Sequence, residues 1–316
     1  MPLPSLSSYS NGFRQGLSIG NFPLVGIMPG KVLWVNSVIG GNGNPGTRNR
    51  PFATLDYAIG RCSASQGDII FCAPGHTETI TAAGAIAMDV AGINIYGLGI
   101  GAQRPTINFG TATTASITVS AANITVANMR FLSTFADVVT AFDVTAAGFS
   151  SIGNTFGDSA VDLNLKSAIK CTSTTDGNAN NFRAISNYFI SQDAATLGFV
   201  IFTADVLHAV IEDNIIVSEG TGLATIFTCA TGKDIRMCSV ARNRLSSKAT
   251  AGNLGYSNDT ASPNNSGVIC DNYIGHADVT VQMALGVVGG CRMSNNLTVF
   301  TDALSGFVIP AIDVDL

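Results

Sequence analysis

From residue 93 to residue 300 one short phrase keeps returning. A strand-like run leads into an asparagine, and large apolar residues follow it. The clearest copy is 182-FRAISNYFISQ-192, centred on Asn187. Others are 124-ITVANMRFL-132, 149-FSSIGNTFG-157, 210-VIEDNIIVS-218, 239-SVARNRLSS-247, 268-VICDNYIGH-276 and 291-CRMSNNLTVF-300. The asparagines are Asn128, Asn154, Asn187, Asn214, Asn243, Asn272 and Asn296 (or Asn295), and Gly97 in 93-INIYGLG-99 takes the same place one turn earlier. From 97 to 296 is 199 residues in seven steps, a mean of about 28. A fixed period of roughly twenty to fifty residues marks a solenoid or other repeat array.

A coil of that length holds three short strands and three turns. Stacked coils pair each strand with its equivalents above and below, at about 4.8 Å per coil. Asparagine accepts the left-handed backbone that a sharp turn needs. Its amide can donate to one neighbour in the stack and accept from the other, which satisfies polar groups otherwise buried unpaired. Glycine replaces it where only the backbone angle matters. The pattern therefore predicts an all-β solenoid of about eight coils.

Composition supports this reading. Only 12% of the 316 residues are charged, about half the usual share. Small polar residues in place of Lys and Glu suit stacked strands, where like charges on adjacent coils repel. The net charge of −5 and the absence of a basic run exclude electrostatic nucleic-acid binding. The seven cysteines are odd in number and sit in strand-like runs, so they read as small buried hydrophobes in a reducing compartment. Neither a CxxC pair nor a Cys/His cluster suggests zinc, and no cofactor is expected. The start, MPLPSLSSYSNG, has no basic or apolar signal-peptide character, and no apolar run reaches the roughly twenty residues of a membrane span. A soluble protein made in the cytosol is expected.

Residues 1–30 lie outside the repeat. They are glycine-rich, with Phe13, Leu17, Ile19 and Phe22 among their apolar residues. Such a segment either folds against its own solenoid or acts as an anchor arm on another protein. Residues 31–75 carry the most specific motif. A strand from Val32 to Val35 leads into a Gly/Asn/Pro loop. Thr54 then caps a short helix with Leu55, Ile59 and Cys62 on one face, and 69-IIFCA-73 follows. An amphipathic helix at this place covers the open end of a first coil.

The run GT…PFATLDYAI…GD-I-PG in residues 31–75, followed by an asparagine ladder, resembles right-handed parallel β-helices of the pectate-lyase-like type. The resemblance extends over residues 31–302. The preceding 11-NGFRQGLSIGNFPLVGIMPGKVLWV-35 is similar to the leader of β-helix proteins encoded by tailed phages. The resemblance implies a right-handed parallel β-helix, a virion location and side-by-side trimers. It says little about activity, because that fold hosts many chemistries.

Within the repeat, further strands are expected at 117-ITVSA-121, 141-AFDVTA-146, 168-AIKCTS-173, 200-VIFTA-204, 225-TIFTC-229 and 282-QMALGVV-288. Long turns are expected at 155–166, 173–181 and 251–267. The tail 303–316 is off-pattern, and its end alternates like a strand, with Ile312, Val314 and Leu316 on one face.

Pectate-lyase-like enzymes use aspartate-bound calcium with a basic residue, and phage spikes of this fold use paired carboxylates. The best carboxylate pair is Asp213 and Asp271. Stacking places them on alternate coils about 9 to 10 Å apart, near the span of inverting glycosidases. Arg242 lies between them, so the row also reads as a surface ladder of alternating charge. Glu212 could replace Asp213 if the register slips by one. Asp158, Asp162 and Lys166 read as solvated loop residues, His208 as a packed strand residue, and Trp34 as lying before the shaft.

The sequence therefore predicts a structural virion protein of a tailed phage: a capsid decoration or cement protein, or a short head-associated fibre. It is made in the host cytoplasm, trimeric, and bound to the major capsid protein or another virion protein through residues 1–30. The alternative is a tailspike that binds or depolymerises a surface glycan, with Asp213 and Asp271 as its carboxylates.

Overall fold

The computed structural model describes residues 18–19, 22–23, 30–172, 175–192, 196–218, 225–230, 232–248, 255–257, 264–276, 290–300 and 306–307. The expected strand at 282–288, the alternation at 312–316, and Phe13 and Leu17 lie outside these residues. So do the side chains of Ile19 and Phe22, whose backbones belong to an antiparallel pair, Ser18–Ile19 with Phe22–Pro23.

The chain is a parallel β-helix. Its first sheet has ten strands, from Val32–Val35 to Cys291–Ser294. Its second has ten, starting at Thr77–Ile80 and running through Leu297–Phe300 to an antiparallel edge, Gly306–Phe307. Its third has seven, from Ile86–Met88 to Gly255–Ser257. The chain visits the sheets in that order on each circuit, so the seven strands of the third sheet mark seven three-strand turns. Two further turns are described by two strands each, Gly267–Cys270 with Tyr273–His276 and Cys291–Ser294 with Leu297–Phe300.

Strand alternation fills the interior. Ile86, Met88, Ile117, Val119, Phe142 and Val144 of the third sheet all point inward and are buried. Because equivalent positions stack at about 4.8 Å, like rings meet like rings. Phe131 lies 5.1 Å from Phe156 in a stacked pair and 4.7 Å from Phe142 in an edge-on one. Residues 155–158, expected to begin a long turn, form a second-sheet strand with Phe156 buried. Phe156 follows the ladder asparagine by two positions, the inward phase that Phe189, Ile216, Leu245 and Ile274 share in the later second-sheet strands.

The first edge is closed as expected. The Trp34 N–H donates to the Gly46 carbonyl and the Phe52 N–H to the Trp34 carbonyl, each at 2.8 Å. The helix Leu55–Ile59 then buries Leu55, Ala58 and Ile59 over the open end. Thr54 does not cap it through its side chain. The free Leu55 N–H instead donates to Glu78 Oε1 at 2.6 Å, a charge-assisted bond to the strand Thr77–Ile80 that starts the second sheet.

The ladder needs two corrections. Its members are Asn154, Asn187, Asn214, Asn243, Asn272 and Asn296, all buried. Each amide nitrogen from Asn187 to Asn272 donates to the next side-chain oxygen at 2.8–3.0 Å. It also donates back to a carbonyl of the turn before, as Asn214 does to Ala184. Gly97 and Asn128 are not members. The register aligns both with Gly153, one residue earlier, and puts Met129 in the ladder row. Asn128 instead donates to the Gly97 and Gly99 carbonyls at 2.8 and 3.1 Å.

The second correction concerns the backbone. The left-handed residue is the one before the ladder: Asn128, Gly153, Ser186, Asp213, Arg242, Asp271 and Asn295 all have φ between 53° and 61°. The turn is made there, which frees the asparagine to direct its amide into the stack.

Candidate functional site

The left-handed row has a chemical consequence. Asp213, Arg242 and Asp271 occupy it on three successive turns, and all three are exposed. The register confirms Asp213 in the row and places Glu212 one position earlier, level with Ala241 and Cys270. Arg242 draws both acids together. Its Nε donates to Asp213 Oδ1 at 2.8 Å, and its Nη2 to Asp213 Oδ2 at 2.9 Å and Glu212 Oε2 at 2.7 Å. Ser239 Oγ donates to the other Glu212 oxygen at 2.5 Å.

The electrostatics follow from these contacts. The Arg242 hydrogen bonds hold the Asp213 carboxyl below its ordinary range. Asp213 and then Glu212 push the guanidinium up. The side chains are 43% and 50% exposed for Asp213 and Arg242, so water screens the pair and its contribution to stability is small. Asp271 lies on the far side of Arg242, two rungs from Asp213 and so about 10 Å away. It accepts a bond from the Cys270 thiol, which adds to the effect of burial in raising the Cys270 pKa.

Around this row runs an open surface groove of about 770 Å³, lined by Asp213, Ile215, Arg242, Arg244, Asp271 and Tyr273. The last residues enter because the position after each ladder asparagine starts a second-sheet strand and faces out. Ile215, Arg244 and Tyr273 are successive members of that column. Sequence reasoning found the acidic row but missed Arg244 and Tyr273. Their signal was present: each stands one position after a ladder asparagine.

The other candidates are dispersed. Asp158 is structural: Oδ1 accepts the Leu165 N–H at 3.0 Å and Oδ2 the Gln192 N–H at 2.7 Å. Asp162 is exposed, and Lys166 pairs with Asp137 at 3.3 Å. His208 is not packed in a strand; it is an exposed left-handed turn residue with φ 60°. His76 is fully buried; its Nδ1 accepts the Ser37 N–H at 2.9 Å, and Nε2 lies 2.7 Å from Glu78 Oε1 but off the line of a hydrogen bond. Trp34 belongs to the shaft after all. It opens an outer-face row with Phe71 and Tyr96, at centroid distances of 5.1 and 6.1 Å, with Arg48 over its free face at 5.6 Å. The rings pack on one another at interplanar angles of 44° and 36°, and the guanidinium lies over Trp34, so the row reads as a stabilising stack. Among the described residues no group of three or more His, Cys, Asp or Glu is placed to hold a metal ion.

Comparison with solved structures finds two distant likenesses. A rhamnogalacturonan lyase is 13% identical with a TM-score of 0.35, over 84% of this chain and 87% of that one. A GH136 lacto-N-biosidase from Eubacterium ramulus is 12% identical with a TM-score of 0.40, over 85% of this chain and 68% of that one. These values are too low to transfer an activity. No protein-family model matches the chain, and no curated protein sequence is similar to it.

Proposed function

We propose that this chain is a structural component of a tailed-phage virion, a capsid decoration or cement protein or a short head-associated fibre. In this reading it is trimeric and is held to the major capsid protein, or to another virion protein, by residues 1–30. One observation supports the non-catalytic part. Arg242 occupies the gap between Asp213 and Asp271 and engages both oxygens of Asp213. An inverting hydrolase needs an unobstructed space for water between its carboxyls, with one of them protonated. A lowered Asp213 pKa is the opposite of what a general acid requires. The virion part rests on the resemblance of residues 11–35 to phage leaders. Electron microscopy of intact particles, labelled with an antibody to this chain, tests it. Label in regular array on particles is expected; label absent from particles while the protein is abundant in the lysate refutes it.

A second reading is favoured by the groove itself. Tyr273, Arg244 and Asp271 present an aromatic face, a cation and an acceptor on one open surface, the chemistry of a glycan-binding tailspike. Host polysaccharide incubated with wild-type protein and with the Asp213→Asn/Asp271→Asn variant separates the readings. Depolymerisation that the double substitution abolishes promotes the tailspike.

A further inference from the structure

The described part of the shaft ends in a corner rich in thiols. Cys238 and Cys291 open two first-sheet strands, and the register places Gly267 between them. Gly267 has φ +136°, and a Cβ there would come within 2.2–2.7 Å of the Cys238 carbonyl, nitrogen and sulfur. Only glycine fits, and the missing side chain leaves a gap through which the two sulfurs meet at 3.9 Å.

That distance separates two chemistries. Residues two rungs apart keep their Cα atoms about 9 to 10 Å apart, whereas a disulfide spans at most about 7 Å. Two thiolates on one tetrahedral zinc-like ion, each at about 2.3 Å, stand about 3.8 Å apart. The sulfurs are therefore already at the coordination distance and too far apart in the backbone for a covalent bridge.

The geometry points to a binding site for a soft, thiophilic d10 cation, held between Cys238 and Cys291 across Gly267. Binding forms two metal–sulfur bonds and releases two thiol protons to solvent, with no change of oxidation state. Solvent fills the remaining coordination positions, because Cys291 is only partly buried while Cys238 is 3% exposed.

The two sulfurs are also within reach of a weak S–H···S hydrogen bond, in which either can donate.

The test uses full-length, reduced, metal-free protein titrated with Cd(II) alone, following the ultraviolet sulfur-to-cadmium absorbance and proton release. One equivalent per chain, two protons released per ion and a raised Tm are expected. Cys291→Ser, at a partly exposed position that tolerates substitution, should abolish the step; Cys62→Ser and Cys270→Ser should keep it. Absence of a saturable step near one equivalent, or a step that survives Cys291→Ser, overturns the assignment.

Discussion

Replacing Asn243 by leucine tests the ladder most severely. The Asn243 side chain makes four bonds. Its Oδ1 accepts the Asn214 N–H at 3.1 Å and Nδ2–H at 2.8 Å, and its Nδ2 donates to the Ile211 carbonyl at 2.8 Å and Asn272 Oδ1 at 2.9 Å. Leucine has a similar volume but none of this capacity. The Asn272 oxygen keeps the Asn243 backbone N–H, at 2.9 Å. The Asn214 N–H and Nδ2–H lose their acceptor and the Ile211 carbonyl loses a donor, all in a fully buried stack. A buried group left unpaired costs about 1–3 kcal/mol. Three of them cost about 3 kcal/mol at the low end, a large share of the roughly 5–15 kcal/mol that holds a domain together. At roughly 2 °C per kcal/mol for a large domain, Tm should fall by about 6 °C. Urea denaturation followed by circular dichroism gives the same quantity from the midpoint. Ser246→Ala, at an exposed position one rung face away, is the control and should stay within about 0.5 kcal/mol of wild type. If Asn243→Leu melts with the control, the amide stack does not stabilise the shaft and the reasoning fails.

Three other perturbations follow from the same contacts. Burial pushes the Cys72, Cys171 and Cys229 thiols far up and Cys62 up to about 12, so at pH 8 these four should resist iodoacetamide until the chain is denatured, as mass spectrometry of labelled peptides can show; rapid native labelling of Cys72 or Cys171 would contradict the core placement. Glu78→Gln keeps a neutral acceptor for the Leu55 N–H but loses the charge of the bond, and should lower stability by about 1 kcal/mol in thermal melts; no change would mean the end-capping helix is not held there. The folded Asp213 pKa lies below its unfolded value of about 3.9, so its pairing with Arg242 stabilises above that pH and is lost as pH falls through the folded value. Asp213→Asn should therefore cost a little at pH 7 and progressively less as the pH falls through the folded value, and a cost that grows on acidification would reverse the sign assigned to the pair.

The fold was legible because its signal repeats. One asparagine in about 28 residues, flanked by inward-alternating aliphatics, specifies turn, stack and register together. The misplacement at Asn128 has a local cause. In the copies from Asn154 to Asn272 a large buried residue stands two positions after the ladder, as Phe156 does after Asn154 and Phe189 after Asn187. In 124-ITVANMRFL-132 that residue is Phe131, which points back to Met129 rather than Asn128. The acidic row was legible from the same register, but its meaning was not. Whether Arg242 separates two carboxylates or binds one depends on where a long side chain lies, and here it lies bidentate on Asp213. The Glu78 contact to the helix and the Cys238–Cys291 pair were hidden because each joins segments whose spacing includes irregular loops.

The central proposal is that residues 1–30 attach the protein and that the shaft carries no catalytic site. Its most direct test is cosedimentation of purified virus particles with full-length protein and with a variant lacking residues 1–28, both checked for β-sheet content by circular dichroism. The account predicts that the full chain pellets with particles while the truncated chain, still folded and soluble, stays in the supernatant. Truncated protein that pellets as well as the full chain would contradict it and move the contact to the shaft or to the tail at 303–316.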